Sequence, residues 1–354
     1  MTPLARDIAA RIAGAGPMPV DEYMRLCLSH PEHGYYRSRP AVGAAGDFIT
    51  APEISQVFGE LIGLWAAEIW AGMGRPATVH LVELGPGRGT LMADALRAIS
   101  KVAPAFRAAL YVHLVEINAG LRQQQDKALR NTAPEWHDDI STLPDGPLIV
   151  IANEYFDALP IRQEVRTEDG WHERVVTVEG TKLRFDVGAA TDNGRTAPVG
   201  SVVETAPERC SQARAIARRL VAHRGAALII DYGPAVSGIG DTLQAIRDHK
   251  KVDPLAKPGL ADLTSHVDFA ALAAAAGEMG AAAYGPVPQG TFLQRLGVMA
   301  RAATLAKKAT PQQASALAAE IGRLIEPDQM GTLFKVLAIA DRQQPLPPGF
   351  DPSS

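Results

Sequence analysis

Glu83, Gly85, Gly87 and Gly89 fall inside one short run, Val79-His80-Leu81-Val82-Glu83-Leu84-Gly85-Pro86-Gly87-Arg88-Gly89-Thr90. An apolar strand ends in an acid, three glycines follow at alternate positions, and a helix begins. Glycine tolerates positive φ and leaves the backbone bare, so a ligand can approach where a side chain would block it. The following helix offers unpaired N–H groups and the positive end of its dipole. This chemistry suits a nucleoside cofactor. The next apolar strand, Leu110–Val115, is followed by Glu116, an acid that can accept both hydroxyls of a ribose. Dinucleotide sites usually show G-x-G-x-x-G with the acid about 20 residues later. Here the spacing is Gly85-x-Gly87-x-Gly89, and Glu83 stands where it would repel a phosphate but attract a cationic amino-acid moiety. An ordinary glycine-rich turn is the plainer alternative.

Strand, acid, glycine loop, helix, strand and second acid together resemble the S-adenosylmethionine site of class I methyltransferases. A third strand end, Asn153-Glu154-Tyr155-Phe156-Asp157-Ala158-Leu159-Pro160, places polar groups directly after the apolar run Leu148–Ala152. Such groups are costly there unless they bind something. Glu154 and Asp157 suit a cationic acceptor, because a paired carboxylate both orients a guanidinium or amine and favours its charge. Asp157 reads equally as a helix N-cap or turn residue. A fourth strand end, Asp231-Tyr232-Gly233, completes the set.

The elements that must hold these residues follow from periodicity. Residues 3–13, Pro19–Leu28 and Glu53–Trp70 carry apolar positions at helical spacing, with Gly43–Pro52 as a loop between. Residues 1–75 are therefore expected to form a helical lid region packed on the main domain. From 76 to 342, strands at 79–84, 110–116, 148–152, 226–231 and 333–339 alternate with helices, which argues for a doubly wound parallel sheet. Residues 161–204 break the rhythm with short alternating runs at 163–167, 174–178 and 182–187, and read as an antiparallel insertion. Residues 232–260 read as a long loop, 267–278 and 311–325 as helices, and the proline-rich tail 343–354 as frayed.

Composition excludes several classes. The chain has 354 residues, 47% hydrophobic and 21% charged, as a globular protein does. A net charge of −4 argues against a broad nucleic-acid surface. No apolar run approaches the roughly 18 residues that span a bilayer. The N-terminus resembles neither a secretory signal nor an Arg- and Ser-rich presequence, so a bacterial cytoplasmic setting is expected, or the mitochondrial matrix for a processed eukaryotic chain. Cys27 and Cys210 read as structural thiols.

Longer motifs carry a family resemblance. Asp47-Phe48-Ile49-Thr50-Ala51-Pro52-Glu53-Ile54-Ser55, Gln56-Val57-Phe58-Gly59-Glu60, Glu83-Leu84-Gly85-Pro86-Gly87-Arg88-Gly89-Thr90-Leu91 and Asn153–Pro160 resemble the MidA-like methyltransferases. So do Asp231-Tyr232-Gly233, Ala261–Phe269, Gln289–Leu293 and Met330–Leu337, in order along the chain. The resemblance implies a class I, Rossmann-like fold with a seven-stranded, mostly parallel sheet. It implies S-adenosylmethionine held by Glu83, Gly85, Gly87, Gly89, Glu116 and Asn153, with Asp47 and Thr50 in a lid over the site. It also implies a protein client, since the family includes a mitochondrial assembly factor that methylates an arginine in a peripheral-arm subunit of respiratory complex I. A guanidinium is a poor nucleophile, and carboxylates that localise its charge on the other nitrogens would raise the attacking atom's electron density. Glu154 is the first candidate for that role, with Asp157 and Glu53 next.

Rival readings are a noncatalytic assembly factor that binds S-adenosylmethionine, a methyltransferase for nucleic acid or a small molecule, and a dehydrogenase. The oligomeric state stays open, a homodimer included, and the 161–204 insertion could serve a client or a dimer contact. No metal site is expected. His30 and His33 lack a third ligand, and His113, on an apolar strand, reads as a satisfied core histidine. His266 precedes a helix that Thr264 or Ser265 could cap. Trp65 and Trp70 read as core, and Arg88 as turned toward a carboxylate or outward.

Overall fold

The computed structural model describes residues 1–38 and 50–351, in two compact units that each draw on separate parts of the chain. Asp47 lies outside the described residues. The larger unit comprises residues 49–155, 212–235 and 267–354. Its sheet has seven strands: β1 (Val79–Leu84), β2 (Leu110–Val115), β3 (Glu135–His137), β4 (Leu148–Asn153), β5 (Gly225–Tyr232), β6 (Ala282–Pro288) and β7 (Phe334–Ala340). Their order is β3-β2-β1-β4-β5-β7-β6. Neighbours pair in parallel from β3 through to β5, while β7 runs antiparallel to both β5 and β6. The expected seven-stranded, mostly parallel α/β sheet is therefore present. β3, three residues long, and β6, interrupted by Gly285-Pro286, are strands that the apolar pattern did not mark.

Every residue of β1 and of β4 is buried, which is what helices on both faces of a parallel sheet require. The helix Gln56–Gly72 supplies Phe58, Trp65 and Ile69 to a core shared with Val79, Leu81, Leu114, Ile149 and Ile151. Each such side chain contributes roughly 1.5–3 kcal/mol on burial. That helix starts after Ser55, behind a separate turn at Ala51–Ile54, rather than running on from Glu53. Two further helices, Gln289–Arg295 and Val298–Ala306, were not anticipated. Where fraying is expected from Gln343 on, Gln344 donates to the Ile69 carbonyl at 2.9 Å and Phe350 packs on Phe292.

The smaller unit comprises residues 1–48, 156–211 and 236–266. Its strands Met18–Pro19, Trp171–Glu179, Arg162–Arg166 and Val202–Thr205 pair antiparallel in that order, with Lys182–Thr191 also on Trp171–Glu179. The antiparallel reading of 161–204 thus holds. Glu179 pairs with Lys182 across a two-residue turn whose Gly180 takes φ +62°, a conformation that glycine adopts without steric cost. Helices Pro3–Ala15 and Val20–Ser29 give this unit a core of Leu4, Ile8, Tyr23, Met24, Val176 and Leu263. The stretch 232–260, expected as loop, contains the strands Gln244–Arg247 and Lys250–Val252, which with Asp262–Thr264 form a small antiparallel sheet. These runs are too short and polar to register as periodic.

Candidate cofactor and acceptor site

In the larger unit the strand order reverses at β1 and β4, and ligands of open α/β sheets bind beyond the carboxyl ends of strands at such a point. Parallel register sets Glu83 beside Ile151 and Leu84 beside Ala152, so the loops after β1 and β4 emerge side by side. Glu83 is 3% exposed, and its Oε2 has no hydrogen-bond partner among the described residues. Burial pushes its carboxyl up to about 8, against an opposing Met92 N–H. Asn153 Oδ1 is likewise buried without a partner, while its Nδ2 donates to Glu154 Oε1 at 3.1 Å. Each buried acceptor left unpaired costs roughly 1–3 kcal/mol. Two of them at adjacent strand ends call for a ligand rich in donors, and an ammonium supplies both donors and the charge that Glu83 lacks.

Gly85, Gly87 and Gly89 take φ of +61°, +52° and +82°. Gly85 N–H donates to the Val115 carbonyl, and Gly89 N–H donates back to Pro86, so the loop is pinned to the end of β2 and turned tightly. A Cβ on Gly85 would meet the Tyr155 ring at 3.0 Å. Glu116 is buried after β2. Its Oε1 accepts the Asn118 N–H at 2.7 Å, and burial raises its pKa despite that bond. Gln125, fully buried on the helix Ala119–Ala128, donates to the Gly87 carbonyl at 2.7 Å and more weakly to Glu116 Oε2 at 3.4 Å. Its Oε1 accepts from Trp136 Nε1. Sequence reasoning missed Gln125 and Asn118. The signal for Gln125 was a polar residue between Leu121 and Leu129, on the apolar stripe of its helix.

Glu154 follows β4 with φ +51°, a left-handed conformation that a non-glycine residue adopts only under local constraint. Its N–H donates to the Ile230 carbonyl, and its Oε1 also accepts the Ala51 N–H at 3.2 Å. The turn Ala51–Ile54 opens on the Thr50 carbonyl, which accepts the Glu53 and Ile54 N–H groups. Glu53 Oε1 accepts the Thr90 hydroxyl at 2.6 Å and its Oε2 faces Arg88 at 3.3 Å, so Glu53 ties this turn to the glycine loop. Arg88 does turn toward a carboxylate.

Asp157 belongs to the smaller unit, where it is buried. Its carbonyl accepts from the Ser265 N–H and from Arg209 Nη2. Arg209, 1% exposed, also donates to the carbonyls of Leu159 and His266 and to Ser265 Oγ. His266 is tied through its N–H to Thr242 Oγ1, and burial lowers its pKa. The helix Phe269–Glu278 is capped by Asp268 rather than by Thr264 or Ser265.

A family model described as an S-adenosyl-L-methionine-dependent methyltransferase matches residues 61–287. The chain belongs to the MidA-like methyltransferase family. It is 37% identical over 371 residues to the Drosophila melanogaster "Protein arginine methyltransferase NDUFAF7 homolog, mitochondrial", covering 95% of this chain and 84% of that one. Against the Homo sapiens "Protein arginine methyltransferase NDUFAF7, mitochondrial" the identity is 34% over 375 residues, covering 97% and 85%. A Burkholderia thailandensis protein crystallised with S-adenosyl-homocysteine superposes with a TM-score of 0.85 at 29% identity, over 98% of this chain and 93% of that one. This member of the family is an S-adenosylmethionine-dependent methyltransferase of class I fold. Unpaired Glu83 and Asn153 acceptors beside a bare glycine loop fit that cofactor, and no helix among the described residues is long and apolar enough to cross a membrane.

Proposed function

We propose that this enzyme methylates an arginine of a protein client, and that the client is a peripheral-arm subunit of respiratory complex I. The carrying observation is Glu154. Its carboxylate stands at the switch point on a strained backbone, with Oε1 fixed by Asn153 Nδ2 and the Ala51 N–H. The names of the relatives, protein arginine methyltransferases of mitochondria, support the acceptor and the setting. The enzyme acts in the mitochondrial matrix, or in the cytoplasm of a bacterium.

Glu83, Asn153, Gly85, Gly87, Gly89 and Glu116 hold the cofactor, and Thr50 contributes from the position before the turn at 51–54. Bound S-adenosylmethionine supplies an electrophilic sulfonium methyl. Glu154 pairs with two nitrogens of the guanidinium and keeps positive charge on them, which leaves the third richer in electrons and aimed. Orientation of this kind supplies up to roughly 7–11 kcal/mol in ideal cases. The test is mass spectrometry of complex I subunits from cells lacking the gene, with and without the wild-type copy. Methylated arginine that appears in a peripheral-arm subunit only with the gene is the expected result. Unchanged arginine methylation, with another residue or a small molecule modified instead, would overturn the proposal.

A further inference from the structure

Three histidines occupy one face of the larger sheet, the face opposite Val79, Leu81 and Glu83. Register pairs Val82 with His113 and His113 with Glu135, so His80 on β1, His113 on β2, and Glu135 and His137 on β3 point the same way. Their rings form a chain. His80 Nδ1 lies 2.9 Å from His113 Nε2, and His113 Nδ1 lies 3.0 Å from His137 Nε2. Glu135 Oε2 is 3.6 Å from His113 Nδ1.

The Thr142 hydroxyl gives its proton to the Asp139 carbonyl, so it accepts from His137 Nδ1, and the lone pair of His137 Nε2 faces His113 Nδ1. His113 Nε2 faces His80 Nδ1, and a proton held on that nitrogen leaves the lone pair of His113 Nδ1 directed to the same point. Two imidazole nitrogens and one carboxylate oxygen thus form a cradle whose ligand atoms all lie within 4.8 Å of one another.

We propose that His113 Nδ1, His137 Nε2 and Glu135 bind a divalent transition metal ion of the zinc class, with His80 and Thr142 fixing the tautomers of the two ligating rings. The ligand set is the two-histidine, one-carboxylate type that zinc accepts, with a further position left for water. Hydrogen-bonded partners on the far nitrogens are what ligating imidazoles normally have. Two imidazole nitrogens on one tetrahedral zinc stand about 3.3 Å apart at bond lengths of about 2.0–2.1 Å. The observed 3.0 Å therefore needs a small outward rotation of the His137 ring, on the edge strand β3. The ion would clamp β3 to β2, and β3 bears on the cofactor site. The His137 carbonyl accepts the Glu116 N–H at 3.0 Å, and Trp136 holds Gln125. The role is one of positioning.

The test uses the full chain without an affinity tag, with Zn2+ and Co2+ as probes. Elemental analysis after desalting should find about one zinc per chain, and Co2+ should give a visible d–d band. Zinc should also raise the unfolding temperature. Glu135→Gln, at a side chain 66% exposed and so safe for folding, should weaken zinc affinity at least about tenfold and abolish the thermal shift. His137→Gln should remove binding. Zinc binding unchanged by both variants would overturn the site. So would a chain that binds no zinc.

Discussion

Glu83 holds the clearest residue-scale consequence of the site. Its carboxyl is pushed up to about 8 by burial, from an ordinary 4.5. Between those values the folded chain keeps a proton that the unfolded chain has lost. Stability of the ligand-free protein therefore falls as pH rises through that window, by about 1.4 kcal/mol per pH unit for this group. A cation bound beside Glu83 reverses the preference and expels the proton. Calorimetric titration with S-adenosyl-homocysteine at pH 7, in two buffers of different ionisation enthalpy, should show about one proton released per site. Glu83→Gln should weaken binding and remove the buffer dependence. Equal enthalpies in both buffers for the wild type would mean that no proton leaves.

At the scale of elements, the glycine loop is only as rigid as its supports. Gln125 bridges the Gly87 carbonyl, Glu116 and Trp136, so Gln125→Ala should cost about 1–3 kcal/mol of stability and also weaken cofactor binding. Thr310 caps the helix Pro311–Ile325 in a reciprocal pair with Gln313. Its alanine variant should cost about 1 kcal/mol and leave cofactor affinity unchanged. Chemical denaturation with parallel cofactor titrations separates the two. This contrast also marks what was legible in the sequence. Of the proposed site residues, Glu83, the three glycines, Glu116 and Glu154 stood out because a strand ending in an acid or a glycine is a local pattern. Gln125 did not, since its role depends on Trp136 in a three-residue strand too short to show a period. The histidine chain was equally hidden: His80, His113 and His137 meet only through the register of three strands.

At the scale of the whole molecule, membership of each unit is decided by contacts between residues far apart in the chain, as when Met18–Pro19 pairs with Val175–Val176. No local pattern carries that information, whereas the seven strands of the larger unit were mostly visible as apolar runs. Long-range ties also bear on stability at acid pH. Buried Glu60 joins the helix Gln56–Gly72 to Arg97 and Arg301. Burial raises its pKa, but the bonds to Arg301 and Arg97 outweigh this and hold it below the usual 4.5. Its contribution is thus present above about pH 4.5 and lost as pH falls through the lowered value, opposite in sense to Glu83. Melting temperatures from pH 3 to 7 should fall less steeply on the acid side in Glu60→Gln than in the wild type, from a lower plateau. Acid limbs of equal steepness would remove Glu60 from the account.

The central claim is that Glu154 orients an arginine for methyl transfer without holding the cofactor. The measurement is transfer of labelled methyl from S-adenosylmethionine to a purified peripheral-arm subunit, by wild type and Glu154→Gln, beside the S-adenosyl-homocysteine affinity of each. The prediction is label on arginine with the wild type, and transfer reduced on the order of 10²-fold in the variant at an affinity within about twofold. Transfer at the wild-type rate by Glu154→Gln, or label on a residue other than arginine, would contradict it.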